Sequence, residues 1–380
     1  MDKSSFLSTR NIGLDFLRAL LILEGVLYHA ARSLPGGNSW YYISGKNESI
    51  VFTSLIEFIH TFRMEAFFFL SGMFSAMVFL RKGNAFFIQN RKKRVLIPLI
   101  SAFAFIPGVM YLLSAAIKGN AITYAGLASG YTQLHHLWFL VSLSAMSFLI
   151  PGSLYVKLAA VFRRLPFLVL TGTLIVVCNC FFVLKFFMKD TGELMLLIPV
   201  TARFCVYYAA GYALYINRDK IPEMAKHPLL HSGVILLLAL LCYASFYITF
   251  YYNAGGVMKY LPVIISSVFS VIFSYWIVFY FEKMRLKENR LVKGIVDSAL
   301  VIYIIHYPLV ISLAWLLDDT ISDNLSVTYV MTVTAMALGL SACCYFVIKR
   351  IPLLATLFGL KPASNNAVPI TDATVKQPIN

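Results

Sequence analysis

Ten apolar stretches run through this chain, each long enough to cross a lipid bilayer. They lie at about 13–33, 52–80, 95–116, 134–156, 166–188, 194–216, 228–252, 260–281, 296–317 and 327–348. An α-helix rises 1.5 Å per residue, so about 20 apolar residues cover a hydrocarbon core about 30 Å thick. Composition closes off the soluble alternative: of 380 residues, 59% are hydrophobic and only 13% charged, where a soluble domain carries about a quarter. The expected fold class is all-α, a polytopic transmembrane helical bundle of about ten helices. The first stretch is long enough to span and is kept as a helix rather than a cleaved leader. The absence of an internal repeat disfavours a transporter built on inverted repeats. A single domain is expected over 1–360. Residues 361–380 are polar and aperiodic, and read as a disordered cytoplasmic tail.

The net charge of +15 would suggest nucleic acid on a soluble protein, but here it follows from topology, because Lys and Arg gather in cytoplasmic loops. With both termini placed inside, twenty-three basic residues fall on the cytoplasmic side and six on the outer side. Three more, Arg18, Arg63 and Arg203, fall within helices. The six cysteines sit in apolar stretches without the spacing of a zinc site or a disulfide framework, so they read as small hydrophobes. No resident metal or cofactor is expected. The sequons at Asn47 and Asn324 lie in outer loops.

Ionisable groups inside a membrane are costly, so they point to a function or a specific partner. Helix 1 carries Asp15, Arg18, Glu24 and His29. Arg18 and His29 are eleven residues apart, about 20° off three full turns and about 16 Å along the axis. They are expected to face one groove, Arg18 near the cytoplasm and His29 near the outer surface. Two polar residues snorkelling to opposite interfaces is the plain alternative. On helix 2, His60, Arg63, Phe67, Ser71 and Phe74 share a stripe, with Glu65 across from it. Glu57 or Glu65 could neutralise Arg63. Ser71-Gly72 also fits simple close packing of helices. The run Arg91-Lys92-Lys93-Arg94 reads as a topology signal, as attraction to anionic lipid headgroups, or as a phosphate clamp. His135-His136 open helix 4, and His306 sits in helix 9 beside Pro308.

Together these residues resemble the acyltransferase-3 family of integral membrane O-acyltransferases. Leu14-Asp15-Phe16-Leu17-Arg18 resembles the family's opening, and Arg18 to His29 matches its Arg-x10-His. Phe68-Phe69-Leu70-Ser71-Gly72 matches Phe-x-x-Ser-Gly, Arg91 to Arg94 matches Arg-x-x-Arg, and His136-Leu137-Trp138-Phe139-Leu140 fits His-x-Trp-Phe-Leu. The resemblance covers about residues 10–360. Within the family, Phe58-Ile59-His60-Thr61-Phe62-Arg63-Met64, Ile305-His306-Tyr307-Pro308-Leu309 and Arg350-Ile351-Pro352-Leu353-Leu354 are similar to a branch that succinylates periplasmic glucans.

The resemblance implies an enzyme of the bacterial inner membrane. Its co-substrate would be cytoplasmic acyl-CoA, with succinyl-CoA the form the branch suggests, and its acceptor a hydroxyl of an extracytoplasmic glucan. His29 would act as general base, since imidazole accepts a proton near neutrality; a transient acyl-histidine is the alternative. Arg18, Arg91, Arg94 and Ser71 would hold the donor. Arg63 and Arg203 would stabilise either the oxyanion or a succinyl carboxylate. His60, Glu65, His136 and His306 are further polar candidates. Two other readings stand beside this one: an acetyltransferase acting on another envelope glycan, and a proton-coupled glycan or lipid transporter using the same His and Arg as a relay.

Overall fold

The computed structural model describes residues 11–36, 41–188, 190–253, 255–284 and 286–360, without the side chains of residues 193 and 257. The expected tail at 361–380 lies outside the described residues. Fourteen α-helices are present among them: α1 (Ile12–Ala31), α2 (Ile50–Arg91), α3 (Ile97–Lys118), α4 (Tyr124–Gly130), α5 (Trp138–Phe148), α6 (Gly152–Arg164), α7 (Phe167–Phe187), α8 (Glu193–Ile216), α9 (Ile221–Met224), α10 (Ser232–Tyr251), α11 (Leu261–Lys283), α12 (Arg290–Leu317), α13 (Ser326–Arg350) and α14 (Pro352–Leu357). No strand occurs among the described residues.

Seven helical segments are long and apolar enough to cross a membrane, or eight if a bent pair counts as one span. Two of the expected ten, 52–80 and 95–116, lie in one continuous 69-residue segment, Ile50–Lys118. The expected helix 1 is present as α1, but Asp15, Arg18 and Glu24 leave its 20 residues too charged to join that count. The expected straight span at 134–156 is corrected. The chain there bends by 86° between Phe148 and Gly152, where Pro151 supplies extended backbone ahead of α6.

Local sequence accounts for the main helix ends. Asn11 caps α1 by accepting from the Leu14 N–H at 3.2 Å, and its side-chain amide donates to the Glu282 carbonyl at the end of α11. Asn289 caps α12 at 2.8 Å. These short side chains satisfy N–H groups that no helical carbonyl reaches. Gly119, at φ 65°, ends α3 in the left-handed conformation that glycine adopts without strain. Within the 42-residue α2, Gly83 at φ 77° and ψ 170° breaks the helical path. Beyond it Asn84, Ala85, Phe86 and Gln89 are exposed and Phe87 is buried, ahead of the π-helical turn Lys92–Leu96.

α2 is the axis of the bundle. Phe67 packs edge-on to Phe139 of α5, Phe68 stacks on Phe204 of α8, and Phe69 meets Tyr275 of α11. α2 and α8 approach most closely at two glycines. A methyl group on Gly72 would run into the Tyr208 carbonyl, and one on Gly211 into the Phe69 carbonyl. Small residues allow this backbone proximity in membranes. Gly72→Ala or Gly211→Ala is therefore expected to cost at least about 1–3 kcal/mol, the usual penalty for overpacking. Thermal unfolding of the purified variants in detergent measures it, and an unshifted melt would show that the helices separate freely. α7 and α10 lie at the periphery and turn apolar side chains such as Val176 and Leu240 outward, whereas α11 and α12 are mostly buried.

One polar clasp ties the α1–α2 connection to the α12–α13 connection. Lys46, 3% exposed, donates to the Asp318 and Ile321 carbonyls and to the Asp323 carboxylate at 3.0 Å. Tyr42 and the Gly45 N–H both donate to Asp318. Burial pulls the Lys46 ammonium down, but its bonds to Asp318 and Asp323 outweigh that and hold its pKa above the ordinary value.

Candidate active site

The polar residues of α1, α2, α8 and α12 meet around a cavity of about 860 Å³. Its rim includes Arg32, Tyr41, Lys118, Gln133 and Lys185, residues from the loops and helix ends that the charge count places outside. Its floor includes Leu21 and Ile22. Between them lie His29, His60, Arg63, Glu65, His136, Arg203 and His306. Seven of the eleven residues singled out from sequence thus share one cavity.

Three imidazoles form its centre. The His29 ring lies 5.3 Å from that of His306, and His306 lies 5.3 Å from His136, measured between centroids. Tyr307 packs on His29 edge-on at 4.9 Å and stacks on His136 at 4.6 Å. Helix backbone fixes two of the tautomers. His306 Nδ1 is 2.7 Å from the Tyr303 carbonyl, and His136 Nε2 is 3.2 Å from the Ile304 carbonyl. A carbonyl only accepts, so each of these nitrogens carries the proton when the ring is neutral. The opposite nitrogens, His306 Nε2 and His136 Nδ1, then present lone pairs, and both are buried without a hydrogen-bond partner. Tyr303 also donates to the His136 carbonyl, holding the start of α5 against α12.

The charged residues divide into pairs. Arg203 donates to Glu65 at 2.6 Å, and Arg32 to Glu57 at 3.5 Å. Neither glutamate forms the ion pair with Arg63 considered from sequence, although the charge of Glu65 acts on it from farther away. Arg63 instead donates to His60 Nδ1 at 3.5 Å and lies 5.3 Å from the Tyr28 ring centroid. His60 in turn stacks on Tyr28 at 4.2 Å.

The other four residues lie elsewhere. Arg18 is below the cavity floor, 3.9 Å from Asp15 and over the Phe74 ring at 5.3 Å. It does not share the chamber of His29: Leu21 and Ile22 come between them on α1. Ser71 is buried, and its carbonyl accepts from Ser75. Arg91 turns inward, donating to Ser75 at 2.5 Å and lying over Phe87, whereas Arg94 is exposed. Among the described residues no group of three or more His, Cys, Asp or Glu could hold a metal ion.

A family model described as an acyltransferase domain matches residues 11–346, a span that contains every residue lining the cavity. The chain belongs to this acyltransferase family. It is 26% identical over 377 residues to glucans biosynthesis protein C of Escherichia coli strain SMS-3-5, covering 93% of this chain and 95% of that one. The same protein from strains K12 / DH10B and O157:H7 EC4115 gives the same identity and coverage. No solved structure matches.

The cavity of this acyltransferase also gathers residues that the sequence did not mark as site candidates. Tyr28, Tyr303 and Tyr307 wall the imidazole cluster, but in the sequence they are three of 22 tyrosines. Tyr41 lies 2.6 Å from His135 Nδ1 across a separation of 94 residues. Gly25 leaves the space on α1 into which the Arg63 guanidinium fits. Its place one turn before His29 was the available signal, since a glycine there removes the side chain facing the same groove.

Proposed function

We propose that this acyltransferase moves an acyl group from cytoplasmic acyl-CoA to a hydroxyl of an extracytoplasmic glucan, with succinyl the group and the bacterial inner membrane the location. The observation that carries this reading is the trio His29, His136 and His306 in one deep polar cavity. In this scheme both termini are cytoplasmic. The acceptor enters past Arg32 and Tyr41, and the thioester arrives from below. His29 takes the proton of the acceptor hydroxyl as its oxygen attacks the thioester carbon. His306 and His136, with tautomers set by backbone carbonyls, supply fixed lone pairs beside it. CoA leaves as the thiol on collapse of the tetrahedral intermediate, taking up the proton. Similarity to the glucans biosynthesis protein C chains supports the glucan as acceptor.

The two arginines of the basic run have different tasks in this scheme. Arg94 is exposed and meets the CoA phosphates; Arg91, bonded to Ser75, anchors the segment that carries it. Lysine keeps the charge but lacks the planar fork. Hydrogen bonds to charged groups are worth about 1.5–3 kcal/mol, so Arg94→Lys is expected to raise KM for acyl-CoA about tenfold, with the melting temperature unchanged. The test is transfer of labelled succinyl-CoA to glucan oligosaccharides in sealed vesicles of each orientation. Product should form only when donor and acceptor are on opposite sides, the donor on the cytoplasmic face. Movement of unmodified glucan without acylation would instead support a transporter. An unchanged KM in correctly inserted Arg94→Lys would return that residue to the topology signal.

A further inference from the structure

Three other cations near the outer half of the bundle each have a carboxylate within 4 Å: Arg32 has Glu57, Arg203 has Glu65, and Lys46 has Asp318 and Asp323. Arg63 does not. It is 6% exposed, lines the cavity, and has no carboxylate within 4 Å among the described residues. Its neighbours are a neutral ring face on Tyr28 and one imidazole nitrogen on His60, and its Nε has no partner. Glu24 and Glu65 act on it only from beyond ion-pair distance. Gly25 keeps the space for it, since a methyl group there would collide with Nη1. A guanidinium held at membrane depth without a direct ion-pair partner is unfavourable. A charge that is full in the resting protein calls for a partner whose charge is also full in the ground state. An oxyanion, present only as the carbonyl is attacked, does not supply one.

We infer that Arg63 is a specificity-determining residue that receives the terminal carboxylate of a short dicarboxylic acyl chain. The inference rests on the acyltransferase reading above. Position favours the donor as the source of the anion. Gly25, beside Arg63, precedes His29 by one helical turn, about 6 Å toward the cytoplasmic end of α1 in the proposed orientation. An acceptor entering from the outer rim reaches His29 first, whereas a donor from below passes Arg63. A short acyl chain can then place its carboxylate on Arg63 while its thioester lies at His29. A planar guanidinium accepts a carboxylate through two parallel hydrogen bonds, which a neutral chain of the same length cannot form.

The experiment compares succinyl-CoA with butyryl-CoA, its uncharged four-carbon counterpart, on the full-length protein in detergent. Two readouts are taken: thermal stabilisation by each donor, and CoA release with glucan oligosaccharides as acceptor. Wild type should be stabilised more by succinyl-CoA. Arg63→Gln should lose about 10- to 100-fold with succinyl-CoA, the range for a hydrogen bond to a charged group, and change little with butyryl-CoA. Gly25→Ala, which displaces the guanidinium without removing its charge, should show the same selective loss and covers the case in which Arg63→Gln fails to fold. An equal loss with both donors would place Arg63 at the reacting carbonyl and overturn the inference. So would a wild type that does not distinguish the donors, or a loss that follows an acidic group on the acceptor instead. If wild type releases no CoA from either donor, the transferase reading fails, and the stabilisation comparison still decides the carboxylate subsite.

Discussion

His29→Ala is expected to lose acyl transfer by a factor of about 10² to 10⁴, the usual cost of removing a general base, while the bundle stays folded. His29 borders a cavity of about 860 Å³, so trimming it enlarges an existing space rather than opening a void in packed side chains. His306→Ala and His136→Ala provide the comparison. Each leaves a backbone carbonyl without its imidazole donor, Tyr303 and Ile304 respectively, so each should lose stability as well as rate. Rate and melting temperature measured together separate these outcomes. Wild-type turnover in His29→Ala would move the base elsewhere in the trio, and an intact melt with abolished rate in His306→Ala would identify it.

The second large effect is on stability. Glu65 is nearly inaccessible, its side chain 4% exposed, and its partner Arg203 is 23% exposed, with 2.6 Å between the charged atoms. Removing one member of such a buried pair leaves the other without a counter-charge and costs about 3–5 kcal/mol. Glu65→Leu is accordingly expected to lower the unfolding temperature sharply. The double variant Glu65→Leu/Arg203→Met should recover most of the loss, because removing both charges removes the desolvation cost too. A double-mutant cycle read by thermal unfolding measures the coupling. If Glu65→Leu melts like wild type, the pair is solvated in practice and Arg203 is available for substrate.

The helices were legible in the sequence because each apolar run reports its own length, and the shared face of His60, Arg63 and Phe67 because helical spacing is local. What escaped was information carried by distant residues. Glu65 finds Arg203 across 138 positions, and nothing in its own neighbourhood favours that partner over Arg63, two residues away. Angular arithmetic put Arg18 and His29 on one side of α1, but it could not see that the cavity lining extends along α1 to Leu21 and does not include Arg18. The bend after Phe148 was hidden because residues on both sides of Pro151 are apolar enough to read as one run. Of the eleven candidates, those in the cavity were found by charge at membrane depth. Ser71 was found by its motif and its place on the helix 2 stripe, and its surroundings are those of a packing residue.

The continuity of α2 has a consequence for insertions and deletions. From Ile50 to Lys82 the helix is unbroken, so His60 and Arg63 at the cavity, Gly72 against α8, and Ser75 under Arg91 are phase-locked. Adding or removing one residue between Met64 and Gly72 would turn the upper part by about 100° relative to the lower. Arg63 would then leave the cavity, or Gly72 would leave its contact with Tyr208. At Gly83 the path departs from the helix and nothing crowds the position. That residue works as a clutch: a change of length is more tolerable there, where the reach of Arg91 back to Ser75 and of Phe87 to Phe79 has to be kept, than anywhere between His60 and Ser75.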